Sequence, residues 1–141
     1  IPQISRVYHT FKAYVEERNI EIEELLADML KYAKYYQILR VGNTSNLALN
    51  SCIYRLNRLE TAVTRPFFLE VLRMNAENAL TLDETTQIFQ ISENYIFRRL
   101  ICDLPTNALN KIFLMLHKEI VRYDGSTDPL LTFPLGCTII I

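Results

Sequence analysis

Apolar residues recur at three- and four-residue steps along most of this chain, the spacing that gathers side chains on one face of a helix. Ile4, Val7, Tyr8, Phe11 and Val15 predict a first helix, and Ile22, Leu25, Leu26, Met29, Ala33 and Tyr36 predict a second after a break near Asn19. Gly42-Asn43-Thr44-Ser45 reads as a turn that offers N-cap oxygens, followed by a third stripe of Leu49, Cys52, Ile53, Leu56, Leu59 and Val63. Pro66 stops that helix and suits the first turn of the next, because proline lacks the amide a helix interior needs. The fourth helix, about 66–76, carries Phe67, Phe68, Leu69, Val71 and Leu72 nearly all round, which predicts burial on several sides and a central position. Thr81-Leu82-Asp83-Glu84 has the pattern of a capping box, in which hydroxyl and carboxylate each take a free backbone amide at the helix start. Ile88, Phe89, Ile91, Tyr95, Ile96, Leu100 and Ile101 then predict a fifth helix up to Asp103-Leu104-Pro105. Thr106 or Asn107 can cap a sixth, marked by Leu109, Ile112, Phe113, Leu116 and Ile120.

Beyond Arg122 the period is lost. Asp124-Gly125-Ser126-Thr127-Asp128-Pro129 has loop composition, and the β-branched end of the run from Leu130 to Ile141 favours extended backbone. The expected fold is all-α: a single bundle of about six helices over 1–123, with a loop and extended apolar tail over 124–141. A lone strand has no ladder, so the tail is expected to dock on its own helices or to pair with another copy as a homodimer.

Composition narrows the picture further. A chain of 141 residues has the size of one ordinary domain, and half of it is apolar with 22% charged, a balance that folds rather than staying disordered. The formal net charge of -1 gives no general attraction to phosphate, so nucleic-acid binding would need a local basic cluster. No apolar run reaches about 18 residues and no secretory leader is recognisable, which points to a cytoplasmic protein without a membrane partner. Cys52, Cys102 and Cys137 are odd in number and far apart, as expected of reduced thiols. Starting at Ile1 without an initiator Met and ending in Thr138-Ile139-Ile140-Ile141, the chain is expected to be a segment of a larger protein.

Candidate chemistry is sparse. His9 and His117 are the only histidines, too few for an evident nucleophile, base and orienting acid, and His117 is expected to sit near helix-end carbonyls. Cys52 and Cys102 lie in no catalytic signature and read as buried thiols. No HxxxH, HExxH or paired CxxC suggests a metal, and three glycines cannot form a phosphate-binding loop, so neither a metal nor a cofactor is expected. The acids Glu16, Glu17, Glu21, Glu23, Glu24 and Asp28 read as a solvated face at the start of the second helix. Arg98 and Arg99 stand out, because two guanidiniums among apolar neighbours must snorkel outward or meet carboxylates or helix-end carbonyls, and one is expected to face inward. Arg55, Arg58, Arg65 and Arg73 form a second basic set, and convergence of the two sets would favour DNA. The tyrosines at 8, 14, 32, 35, 36, 54 and 95 read as the edge of a core.

The run from Glu93 to Phe113 resembles the helical part of a bacterial family long described as a domain of unknown function, which includes the GmrSD-type modification-dependent restriction endonucleases. Tyr95, Arg98, Arg99, Pro105, Thr106 and Asn107 carry the resemblance. Ile22-Glu23-Glu24-Leu25-Leu26 leading to Tyr32-Ala33-Lys34-Tyr35-Tyr36, and Leu56-Asn57-Arg58-Leu59 leading to Arg65-Pro66-Phe67, extend it over roughly 5–122. The resemblance implies a helical middle between a ParB-like nucleotide-hydrolysing module and, often, an HNH-type nuclease module. Neither Asp-Gly-Gln-Gln-Arg nor an HNH motif is present here, so no catalytic residue carries over. The resulting expectation is a non-catalytic spacer or coupling domain whose partners are the flanking domains of its parent chain. The alternatives are a DNA-binding module using Arg58, Arg65, Arg98 and Arg99, and a self-association module using the tail.

Overall fold

The computed structural model describes residues 4–105 and 107–122, with side chains described from 5 to 105 and from 108 to 116. It is all-α. Six helices follow in order: α1 (Val7–Arg18), α2 (Ile22–Val41), α3 (Leu47–Arg58), α4 (Arg65–Ala76), α5 (Leu82–Ile101) and α6 (Asn107–Arg122). Short 3-10 turns precede α1 (Ile4–Arg6) and α4 (Ala62–Thr64), and no strand occurs among the described residues. The expected loop and tail at 124–141, the tail-mediated homodimer, Cys137, Thr106 and the side chains of Asn107 and His117 lie outside the described residues. No helix among the described residues is long and apolar enough to cross a membrane.

The helix ends follow from local chemistry. Asn19 takes the left-handed conformation at the end of α1 (φ 48°), where its amide donates to the Glu16 carbonyl and the Ile20 amide donates to that of Val15, both at 3.3 Å. Of the possible N-cap oxygens after Gly42, Asn46 does the capping: its side chain accepts from the amides of Ala48 (2.8 Å) and Leu49 (3.0 Å). Thr44 is held instead by Asn50, whose amide oxygen accepts from the Thr44 amide at 2.8 Å and from its hydroxyl at 2.7 Å. Gly42 itself sits at φ +69°, and a Cβ there would meet the Asn50 carbonyl oxygen at 3.2 Å. The expected capping box forms on α5: the Thr81 amide donates to Glu84 at 2.7 Å and the Glu84 amide donates to the Thr81 hydroxyl at 3.2 Å.

The third helix is shorter than its stripe suggests. Its last turn tightens as the Leu59 amide donates to the Leu56 carbonyl (3.1 Å), and Glu60 then enters the left-handed region at φ 52°. The 3-10 turn keeps Val63 against the core, so the hydrophobic period continues while the helix does not.

The described residues divide into two compact units, one ending at Lys34 and the other beginning at Tyr35; the boundary expected at 123 adjoins residues outside the described ones. In the second unit α4 is central, as its all-round apolar pattern predicts. Phe67, Phe68, Val71 and Leu72 pack with Leu49, Cys52, Ile53 and Leu56 of α3, Ile88, Phe89 and Ile96 of α5, and Leu109, Phe113 and Leu116 of α6. Phe68 lies 4.4 Å from Phe89 and Phe67 lies 5.2 Å from Phe113, ring centre to ring centre, so α4 joins α5 to α6 through aromatic contacts. In the first unit the expectation fails: α1 has no buried residue, and Leu39, in the second unit, is the only buried residue of α2. Val7, Tyr8, Phe11, Tyr14, Ile22, Leu26, Met29 and Leu30 are exposed. Periodicity establishes that a helix has an apolar face; it does not establish what covers that face.

Candidate functional site

The residues singled out by sequence lie mainly on α5 and the turn after it. Arg99, four positions after Tyr95, shares its helix face and turns inward. Its Nη2 donates to the Pro105 carbonyl at 3.1 Å, its Nη1 lies 3.5 Å from the Tyr95 hydroxyl, and its guanidinium carbon stands 5.7 Å from the centre of the Tyr95 ring. Arg99 Nε is buried without a partner among the described groups. The turn itself is closed by the Leu104 amide donating to the Arg99 carbonyl (2.9 Å), with Asp103 left-handed at φ 51°. Tyr95, Arg99 and Pro105 therefore form one cluster that fastens the end of α5 to the segment leading into α6. Arg98 points away and is exposed.

The second basic set does not converge on this cluster. Cys52 and Arg55 of α3 instead reach Glu93 of α5. Arg58, at the end of α3, and Arg98 are exposed. Arg65 is occupied: its Nη1 donates to the Tyr36 hydroxyl at 3.1 Å, and its guanidinium carbon stands 5.7 Å from the Tyr36 ring centre. The recess beside it, bounded by Leu39, Leu56, Asn57, Thr64, Phe68 and Phe89, measures about 30 Å³, room for roughly two water molecules. Asn57, at the edge of this recess, donates to the Leu39 carbonyl at 2.8 Å and so satisfies an end of α2.

A cluster that sequence reasoning did not assemble joins α3 to α5. Glu93 accepts from Arg55 through both carboxylate oxygens, Nη2 to Oε2 at 2.9 Å and Nε to Oε1, and from the Cys52 thiol at 3.0 Å. Burial pushes the Cys52 thiol far above the ordinary thiol range, and the hydrogen bond to Glu93 and its negative charge push the same way against Arg55. Cys52 is thus a neutral, buried thiol that serves as a hydrogen-bond donor, not a nucleophile. Cys102 departs from the expected burial: it ends α5 in an exposed position, beyond the last turn that the core covers. His9 is also exposed, edge-on to Tyr8 at 5.5 Å. Glu16, Glu17, Glu21, Glu23, Glu24 and Asp28 form the solvated face that was expected. Among the described residues, no three His, Cys, Asp or Glu side chains gather as ligands for a metal would.

Burial would raise the Glu93 carboxyl, but hydrogen bonds from Arg55 and Cys52 and the Arg55 charge outweigh it and hold Glu93 below the ordinary glutamate range. A carboxyl lowered by folding contributes stability above the ordinary range and loses it as the pH falls through the lowered value. The wild-type protein is therefore expected to lose more stability between neutral and acid pH than Glu93→Gln does. Urea midpoints of the two proteins that fall in parallel with pH would contradict this. Compared with family models, with curated proteins and with solved structures, the chain finds no match.

Proposed function

We propose that this chain is a helical coupling module of a restriction-type defence protein, one that holds a nucleotide-hydrolysing module in a set relation to a nuclease module. The observation that carries this reading is the contact cluster of Tyr95, Arg99 and Pro105. These three residues belong to the run that resembles the helical part of the GmrSD-type family, and here they act as a pin between consecutive helices. A coupling element must transmit position without deforming, and a guanidinium bonded to the Pro105 carbonyl ties the end of α5 to the connection that leads into α6. Arg55 with Glu93 and Asn57 with the Leu39 carbonyl supply further fastenings within the second unit.

The purified chain is expected to hydrolyse neither nucleoside triphosphates nor DNA. In a parent protein bearing both flanking modules, Arg99→Ala is expected to leave nucleotide hydrolysis in place and reduce the DNA cleavage that depends on it. Hydrolysis by the chain alone, abolished by one substitution within it, would refute the proposal.

Exposed Arg58 and Arg98 favour a second reading, in which they contact phosphate groups. DNA binding would then weaken steeply with salt and weaken further in Arg58→Ala and Arg98→Ala. Absence of binding at low salt would dispose of it.

A further inference from the structure

A surface feature that this reading leaves unused is the exposed apolar stripe of α2. Ile22, Leu26, Met29 and Leu30 are 63%, 58%, 55% and 60% exposed. They fall on successive turns of one helix face, so they form a contiguous patch and not the scattered apolar positions usual on a monomer. Charge identifies what covers it. Glu23 and Lys34 lie about three turns apart, and the helical period puts both on the same flank of the stripe. A second α2 laid antiparallel over the stripe brings Glu23 of each copy beside Lys34 of the other, with Met29 near the two-fold axis and apolar side chains meeting along the seam. A parallel copy would instead stack Glu21 and Glu23 against their own counterparts. Charge complementarity thus favours this helix's own reversed image.

We infer that the chain forms a homodimer by antiparallel pairing of residues 22–34 of α2, with Glu23 of one copy against Lys34 of the other. The inference goes beyond the coupling reading, because it requires neither a restriction-type parent nor the C-terminal tail. Acids early and bases late in a helix also favour its own dipole, an effect confined to one chain. The two contributions separate experimentally, because only pairing between copies allows a charge reversed on one chain to be compensated on another.

Light scattering and sedimentation of the full chain are expected to show a dimer. Leu26→Glu, which places a carboxylate in the seam at an exposed position, should give a monomer with unchanged helical content. Glu23→Lys and Lys34→Glu should each weaken the dimer by about tenfold, an effect reduced at high salt. An equimolar mixture of these two variants should form a heterodimer of restored affinity, because both pairs across the seam become attractive again. A wild-type monomer would overturn the inference. So would a dimer that survives Leu26→Glu, a mixture no tighter than either variant, or a dimer lost only when residues 130–141 are removed.

Discussion

Phe89→Ala is expected to remove about 3–5 kcal/mol of folding stability. Its ring is completely buried and lies 4.4 Å from that of Phe68, at the junction where α5 meets α4. Truncation removes the transfer free energy of the ring and leaves a cavity in a close-packed interior that can only partly collapse. A domain of this size has a net stability of roughly 5–15 kcal/mol, so the variant should unfold at a much lower urea concentration or fail to fold. Phe97, on the same helix and half exposed, provides the control: Phe97→Ala should change stability by no more than about 0.5 kcal/mol. Similar urea midpoints for the two variants would mean that α5 does not present the face described here.

Arg73→Ala is expected to cost about 1–3 kcal/mol, through the group it leaves behind. Glu70 is 7% exposed and accepts from Arg73 Nε at 2.9 Å and from its Nη2, while Arg73 Nη1 reaches Glu77. Removing the guanidinium strands a carboxylate that folding has largely withdrawn from water. Arg73 itself keeps 28% of its side chain in solvent, which holds the cost below that of breaking a fully buried pair. Adding Glu70→Gln to Arg73→Ala should recover part of the loss, since the neutral amide is cheaper to bury. If the double variant were as unstable as Arg73→Ala alone, packing of the Arg73 stem, and not its charge, would be the source of the effect.

Much of the fold was legible in the sequence because its strongest signals are local. The apolar period located every helix, the all-round pattern from Phe67 to Leu72 marked α4 as central, and Thr81 with Glu84 announced its own capping box. The early end of α3 was less legible, because a left-handed Glu60 and a 3-10 turn preserve the period while breaking the helix. The stripes of α1 and α2 were legible as stripes, but burial depends on a partner that periodicity cannot name. The site was read in outline: one of Arg98 and Arg99 was expected to face inward, and it is Arg99, but its partner is the loop carbonyl of Pro105 and not the expected acid or helix-end carbonyl. The union of Cys52, Arg55 and Glu93 was not foreseen, because no local spacing connects residues 38 to 41 positions apart on two different helices.

The contact between α3 and α5 also bears on the order in which the molecule can be assembled. As the chain leaves the ribosome, Cys52, Ile53 and Leu56 emerge well before Ile88 and Ile96, with all of α4 in between. During that interval α3 has α4 to pack on but not α5, and the part of its greasy face that α5 covers is open to chaperones or to neighbouring nascent chains. Synthesis halted after α4 would yield a product without the wall that closes the interior, so cooperative folding of the second unit must wait for α5.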